Sequence, residues 1–104
     1  MDMQTITVEE LHARLEAGDK VNLVDVREPN ENAEFNIGGI LYPLGRVREF
    51  DVDELEGLKD QEVVVYCRSG NRSGQACQLL ETMGFTNLKN LTGGMLAWRE
   101  RFGQ

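Results

Sequence analysis

The sequence is poor in the residues on which small secreted domains and metal sites depend. Its 104 residues include only two cysteines and one histidine. A disulfide-stabilised scaffold needs more cysteines, so we expect a reduced, intracellular protein. Two distant cysteines and a single histidine do not form metal-ligand spacing, and no glycine-rich nucleotide fingerprint is present. We therefore expect neither a metal nor an organic cofactor.

Positive charge and long hydrophobic runs are also scarce. The 11 Lys and Arg are outnumbered by 18 Asp and Glu, which gives a net charge of -7. Nucleic acids and anionic membranes attract basic surfaces, so we expect neither as a partner. No apolar run approaches the roughly 20 residues that span a bilayer. The first residues, MDMQ, lack the basic and apolar regions of a signal peptide, so we expect a cytoplasmic protein.

The remaining composition is that of an ordinary globular protein. Hydrophobic residues make up 40% and charged residues 28% of the chain. A length of 104 residues suits one domain with a small hydrophobic core. We therefore interpret residues 1–104 as a single domain, which we expect to act as a monomer.

Helical and extended patterns alternate along the chain. A capping box at residues 7–10 begins a helix that Gly18 ends. The alternation predicts a three-layer α/β domain, in which a mostly parallel sheet of about five strands carries helices on both faces. Predicted strands cover residues 21–26, 40–44, 62–66 and 87–91; predicted helices cover residues 29–35, 52–58 and 73–83 and a last segment after residue 94.

Cys67 directly follows the clearest strand, residues 62–66, whose continuous β-branched run is typical of a strand buried on both faces. Ligands of open parallel sheets bind outside the carboxyl ends of the strands. The next helix begins close by, and its free N–H groups and dipole stabilise an anion. Such a position lowers the pKa of a cysteine from about 8.5 to roughly 3.5–7.5. These features predict a thiolate nucleophile.

The loop after Cys67 suits an anionic sulfur. Gly and Asn tolerate left-handed backbone angles, so the loop can curl with its N–H groups pointing inward. Two arginines add positive charge, and two serine hydroxyls can donate hydrogen bonds. The predicted substrate-binding residues are Arg68, Ser69, Gly70, Asn71, Arg72 and Ser73.

A structural interpretation competes with this prediction. A lone cysteine after a strand is more often a small buried hydrophobe, but the polar and flexible neighbours of Cys67 favour reactivity. Cys77 has no such neighbours and is predicted to belong to the core, with a resolving thiol as the alternative. His12 lies in the first predicted helix and is expected to be solvated, so a Cys–His pair is not expected.

Five segments resemble the rhodanese-like family of sulfurtransferases. They are residues 23–29 (LVDVREP), 34–35 (EF), 64–73 (VVYCRSGNRS), 84–85 (GF) and 91–98 (LTGGMLAW). The segments cover nearly the whole chain in the order of the family. The cysteine loop and the Gly-Gly-x-x-x-Trp ending are the specific motifs. The resemblance implies a single-domain rhodanese fold.

The resemblance also implies an activity of the thiosulfate sulfurtransferase type. Cys67 would take sulfane sulfur from a small anionic donor such as thiosulfate, hold it as a persulfide, and pass it to cyanide or a protein thiol. The backbone N–H groups of residues 68–73 would surround the persulfide, and Arg68 and Arg72 would help bind the donor. Asp25 and Arg27 match another family segment and are expected to anchor loops.

One segment departs from the common family pattern. Residues 37–45 (IGGILYPLG) lack the histidine that many members carry before the third strand. The segment resembles the variant found in rhodanese domains fused to enzymes that activate sulfur-carrier proteins. The resemblance therefore leaves the physiological sulfur acceptor open.

Two other functions use the same fold. Phosphatases built on it need a Cys-x5-Arg loop that holds a tetrahedral phosphate, whereas Arg72 lies one position early and position 73 is Ser. The shorter loop favours a single sulfur atom. The second alternative is a non-catalytic binding or sulfur-relay module that serves a partner protein. Many such modules have lost the cysteine, which this chain retains.

Overall fold

Five short strands form the centre of the structure, a computed structural model that describes residues 3–103. The strands are β1 (Thr5–Ile6), β2 (Asn22–Asp25), β3 (Ile40–Leu41), β4 (Glu62–Tyr66) and β5 (Asn87–Leu91). Their order across the sheet is β1-β5-β4-β2-β3, and every adjacent pair is parallel. The prediction of a mostly parallel sheet is confirmed, with no antiparallel pair among the described strands.

Helices cover both faces of this sheet, which confirms the three-layer α/β architecture. Successive residues of β4 alternate between the faces, as the pleat of a strand requires. The helices are α1 (Val8–Glu16), α2 (Pro29–Glu34), α3 (Leu44–Arg48), a 3₁₀ helix (Asp53–Leu58), α4 (Asn71–Thr82) and α5 (Gly94–Phe102). Val64 and Tyr66 pack with residues of α1 and α5, whereas Val63 and Val65 pack with residues of α3 and α4.

The prediction of a strand over residues 40–44 is wrong beyond Leu41. Pro43 has no N–H to donate to a ladder, and it lies immediately before α3 with a φ of -52°. Leu44 and Val47 of this helix are buried in the core. The apolar pattern of residues 40–44 therefore continues from the strand into one turn of helix.

Strand β1 was not predicted at all. It contains two residues, Thr5 and Ile6, which pair with Asn90 and Leu91 of β5. Two residues are too few to show a period-two pattern. The strand precedes the predicted capping box, which the structure confirms: the Thr7 hydroxyl accepts from the Glu10 N–H, and the Glu10 carboxylate accepts from the Thr7 N–H.

The strand order places a crevice at the end of β4. From β2 the chain moves outward to β3 and then crosses back to the other side of β2 to form β4. Such a reversal leaves a crevice between the loops at the carboxyl ends of the two central strands. Arg27 follows β2 and Cys67 follows β4 at this edge of the sheet. Within residues 3–103, no helix has the length and apolar character to cross a bilayer.

Candidate active site

The thiol of Cys67 lies inside the loop that leads into α4. Its Sγ accepts a hydrogen bond from the Gly70 N–H at 3.1 Å, and it lies 3.3 Å from the Ser73 Oγ. Only 1% of Cys67 is exposed to solvent. Gly70 has a φ of +103°, a left-handed angle that glycine adopts without strain. This turn is what points its N–H at the sulfur.

The surroundings of Cys67 favour its thiolate. Burial raises the pKa of the thiol, but the hydrogen bonds that a charged sulfur would accept from the Ser73 hydroxyl and from the N–H groups of Ser73, Gly70 and Ser69 outweigh burial. The pKa of Cys67 therefore lies below its ordinary value. Helix α4 begins at Asn71, two residues earlier than predicted, so its N-terminus lies directly against the loop.

A second helix holds the same loop from the other side. The N–H of Met95 donates to the Cys67 carbonyl at 3.0 Å, and the N–H of Leu96 donates to the Arg68 carbonyl at 2.9 Å. These N–H groups have no partner within α5, because they lie in its first turn. Gly94, at a φ of +52°, makes this approach possible, since a Cβ there would lie 2.4 Å from the Cys67 carbonyl oxygen. The Gly-Gly motif thus seats α5 on the cysteine loop.

The two predicted cations of the loop differ in their partners. The Arg72 guanidinium makes two hydrogen bonds to the Glu31 carboxylate of α2, at 2.7 and 2.8 Å. This ion pair lowers the pKa of Glu31 to about 2, with the hydrogen bond to Arg72 as the largest cause. The Arg68 side chain is exposed, and within residues 3–103 its guanidinium makes no hydrogen bond or ion pair. Of the two, Arg68 presents the more available charge.

A cleft of about 330 Å³ lies beside the loop. Cys67 does not line it, but Arg68, the next residue, does. The charged residues that line the cleft are Arg27, Glu31, Glu34, Arg68 and Arg99. A small anion can therefore meet positive charge close to the cysteine.

Asp25 and Arg27 form a buried structural pair, as expected. The Arg27 guanidinium donates to both carboxylate oxygens of Asp25, at 2.9 and 2.8 Å, and to the Phe35 carbonyl at 2.6 Å. The Asn32 amide donates to the same carboxylate at 2.9 Å. Because a buried ion pair needs all its polar atoms satisfied, this network fixes the segment from β2 through α2.

The roles of the other predicted side chains in the loop are more limited. Asn71 and Ser69 are exposed. Within the described residues the Ser69 hydroxyl makes no hydrogen bond, so Ser69 contributes through its N–H. The Ser73 hydroxyl donates to Asn90 of β5, and its oxygen also lies 3.3 Å from the Cys67 sulfur. Of the two hydroxyls that could donate to the sulfur, only that of Ser73 lies within hydrogen-bond distance of it among the described residues.

Cys77 lies in the core, as predicted. It packs between helix α4 and the sheet in the same hydrophobic cluster as Val65 and Leu80. Burial raises the pKa of its thiol to about 12, and the nearby Cys67 adds to this effect. A thiol that stays protonated at neutral pH is a poor nucleophile, which disfavours the alternative of a resolving cysteine.

His12 takes no part in the site, and its side chain is 35% exposed, so the expected solvation is only partial. Its ring stacks on Phe102 at 3.9 Å between centroids and lies 5.6 Å from Trp98. Trp98 is buried in the cluster between α1, α5 and the sheet. This cluster lies on the face of the sheet opposite to α4.

Two residues of the site were not found from the sequence. Glu31 neutralises Arg72, and the Asn90 side chain bonds both Ser73 and the Gly70 carbonyl. A signal for Asn90 existed, because a polar residue near the carboxyl end of a predicted parallel strand lies at the binding edge. No sequence pattern marks Glu31 as a partner of Arg72, since a glutamate on a short exposed helix is ordinarily solvated.

The sequence and the structure of the chain are similar to the same group of proteins. A family model described as a rhodanese-like domain matches residues 7–101. A sulfurtransferase from Allochromatium vinosum is 41% identical over 93 residues, which cover 89% of this chain and 85% of that protein. A rhodanese-like domain protein from Staphylococcus aureus superposes with a TM-score of 0.79 at 32% identity, over 92% of this chain and 91% of that one. The human single-domain sulfurtransferase TSTD1 superposes with a TM-score of 0.78 at 27% identity, over 96% and 98% of the two chains.

Proposed function

The chain belongs to the rhodanese-like family of sulfurtransferases, and on this premise we propose that Cys67 carries sulfane sulfur as a persulfide. The observation that carries the proposal is the hydrogen bond from the Gly70 N–H to the buried Cys67 sulfur. A fixed N–H group aimed at a sulfur stabilises negative charge on it without rearrangement during the reaction. The same loop can stabilise a thiolate before transfer and a persulfide after it.

The proposed reaction has two steps. The Cys67 thiolate attacks the outer sulfur of thiosulfate, the sulfur–sulfur bond of the donor breaks, and sulfite leaves with the electron pair. The terminal sulfur of the persulfide is then attacked by cyanide or by a thiolate. The Cys67 thiolate leaves with the electron pair, which regenerates the enzyme and gives thiocyanate or a persulfide on the acceptor.

The charges beside the loop support an anionic donor. Arg68 lines the cleft next to Cys67 and is not neutralised by a carboxylate among residues 3–103. Arg72 is paired with Glu31, yet its charge still attracts the Cys67 thiolate. We assign donor binding to Arg68 and assign to Arg72 a long-range stabilisation of the anionic sulfur. Both assignments are proposals.

The geometry also favours sulfur transfer over phosphate hydrolysis. A phosphatase of this type needs an arginine free to bind the phosphate oxygens, whereas both ends of the Arg72 guanidinium are bonded to Glu31. The Cys67 loop closes around one sulfur atom, with Gly70 at 3.1 Å and Ser73 at 3.3 Å.

Paired assays test this proposal. With thiosulfate and cyanide, we expect thiocyanate to form with saturation kinetics, because the cysteine loop accepts one sulfur and the cleft offers positive charge. With p-nitrophenyl phosphate, we expect no release of nitrophenol above the rate in buffer. Turnover of the phosphate ester without thiocyanate formation would overturn the proposal in favour of the phosphatase. Turnover of neither would favour the non-catalytic module.

A reducing compartment such as the cytoplasm suits this function. Both cysteines are free in the structure. A nucleophile that must cycle between thiolate and persulfide is kept available where thiols stay reduced. We therefore retain the cytoplasm as the proposed location and a protein thiol as a proposed acceptor.

A further inference from the structure

The side chain of Asn90 links two parts of the cysteine loop. Its Nδ2 donates to the Gly70 carbonyl at 3.1 Å, and the Ser73 hydroxyl donates to its Oδ1. The carbonyl of Gly70 can only accept, so the atom of Asn90 that faces it must be the amide nitrogen. The atom that faces Ser73 is then the carbonyl oxygen, which can only accept. The orientation of the Asn90 amide is thus determined by its partners.

This orientation decides what Ser73 can do for Cys67. A serine hydroxyl has one proton, and the proton of Ser73 is used in the bond to Asn90. The Ser73 oxygen lies 3.3 Å from the Cys67 sulfur and can then only accept a hydrogen bond from the S–H. The three groups form a chain in which Cys67 donates to Ser73 and Ser73 donates to Asn90. Such a chain suits the neutral thiol.

When the sulfur is negatively charged, Ser73 must donate a hydrogen bond to it instead of accepting one. A thiolate or a persulfide anion has no proton to donate and accepts hydrogen bonds instead. The Ser73 hydroxyl must then rotate so that its proton leaves Asn90 and points to the sulfur. No covalent bond of Ser73 changes, and the proton of the thiol passes to a water molecule. Asn90 and the anionic sulfur therefore compete for one hydroxyl proton.

We propose that Asn90 is a positioning residue that sets the direction of the Ser73 hydroxyl proton: Asn90 holds it while Cys67 is a thiol and yields it to the sulfur anion. The inference rests on the proposed nucleophilic role of Cys67. Asn90 has a second effect of opposite sign, because its amide also fixes the Gly70 carbonyl in the turn that aims the Gly70 N–H at the sulfur. One effect of Asn90 opposes ionisation of Cys67, and the other favours it.

The other groups that act on Cys67 do not depend on Asn90. Arg72 of α4 attracts the thiolate and is held by Glu31 of α2. Arg68 adds an exposed charge on the loop itself. Cys77 on α4 stays protonated, because burial raises its pKa to about 12. Helix α5 donates backbone hydrogen bonds from Met95 and Leu96 to the loop carbonyls. Replacing Asn90 leaves these groups in place.

A double-mutant cycle separates the two effects. The pKa of Cys67 is measured from the pH dependence of its alkylation by iodoacetamide, with the modified peptide identified by mass, in the wild type, Asn90→Leu, Ser73→Ala and the double variant. In the Ser73→Ala background only the support of Gly70 can be lost, so we expect Asn90→Leu to raise the pKa. In the wild-type background the freed Ser73 proton stabilises the thiolate. We therefore expect the change in the pKa of Cys67 caused by Asn90→Leu to be lower in the wild-type background than in the Ser73→Ala background. The difference should be at least about 0.5 pH unit, a coupling typical of groups in one hydrogen-bond network.

The matched control is Asn87→Leu, on the same strand, whose side chain bonds Lys89 and not the cysteine loop. It should leave the pKa of Cys67 unchanged. Equal pKa shifts in the two backgrounds would mean that Asn90 only supports the loop, and this result would overturn the proposal, as would coupling of the opposite sign. If Asn90→Leu does not fold, Asn90→Ala in the same cycle gives the same comparison.

The readout also separates this inference from the proposed function. Alkylation reports the ionisation of Cys67 whether or not sulfur is transferred. Coupling without thiocyanate formation would leave the role of Asn90 standing and remove the sulfurtransferase reaction. Thiocyanate formation without coupling would support the sulfurtransferase reaction and overturn the role of Asn90.

Discussion

Replacing Cys67 by Ser is expected to reduce thiocyanate formation by at least about 1,000-fold, the scale on which enzymes lose activity with their nucleophile. A serine hydroxyl stays protonated in this loop at neutral pH, and oxygen cannot carry the transferred sulfur as a persulfide. The substitution changes one atom of a residue that is 1% exposed, and the Gly70 N–H can still donate to the new oxygen. We therefore expect the melting temperature to stay close to that of the wild type.

The control for this experiment is Cys77→Ser, which alters the other buried thiol of the chain. Cys77 belongs to the core cluster and has a raised pKa, so its loss should reduce stability without removing turnover. The variant is assayed at a temperature where circular dichroism shows it to be folded. Activity that survives in Cys67→Ser and disappears in Cys77→Ser would contradict the account, because it would make Cys77 the nucleophile.

Replacing Gly94 by Ala is expected to lower the free energy of unfolding by about 2–4 kcal/mol, more than a typical single substitution. Gly94 has a φ of +52°, and an added Cβ would lie 2.4 Å from the Cys67 carbonyl oxygen and 2.7 Å from the Arg68 backbone. The contacts are with backbone atoms, so α5 or the cysteine loop must move. Urea unfolding measures the loss, and thiocyanate formation should fall at the same time because the loop is displaced.

Gly45→Ala is the matched control for this prediction. Gly45 lies in α3, has no positive φ, and has no atom within 4 Å of the position of an added Cβ. Alanine costs less backbone entropy than glycine in a helix, so the variant should be neutral or more stable by up to about 1 kcal/mol. A Gly94→Ala variant as stable as Gly45→Ala would show that the motif does not depend on the close approach of α5 to the loop.

The central strands could be predicted from the sequence because their patterns are local. The β-branched run of residues 62–66 and the segment 87–91 have the predicted bounds in β4 and β5. By contrast, β1 has two residues and is stabilised by pairing with β5, a contact distant in the sequence. Helix α3 was hidden because its apolar residues continue the pattern of β3 across Pro43. Tertiary packing decided both segments.

The site was predictable in position and less so in its hydrogen bonds. The place of Cys67 follows from a buried strand that ends where a helix begins, and the structure has this arrangement. The partners of the loop side chains depend on residues far away in the chain. Arg72 binds Glu31, 41 positions earlier, and Ser73 donates to Asn90, 17 positions later. No local pattern specifies such pairs. The reactive role of Cys67 stays a prediction.

Intact-mass spectrometry after incubation with thiosulfate tests that role most directly. The reduced protein is incubated with thiosulfate and separated from the excess thiosulfate. Its intact mass is then measured before and after addition of cyanide. We expect a gain equal to the mass of one sulfur atom, located on the peptide that contains Cys67 and lost when cyanide is added. An unchanged mass for the wild type, or the same gain in the Cys67→Ser variant, would contradict a persulfide on Cys67.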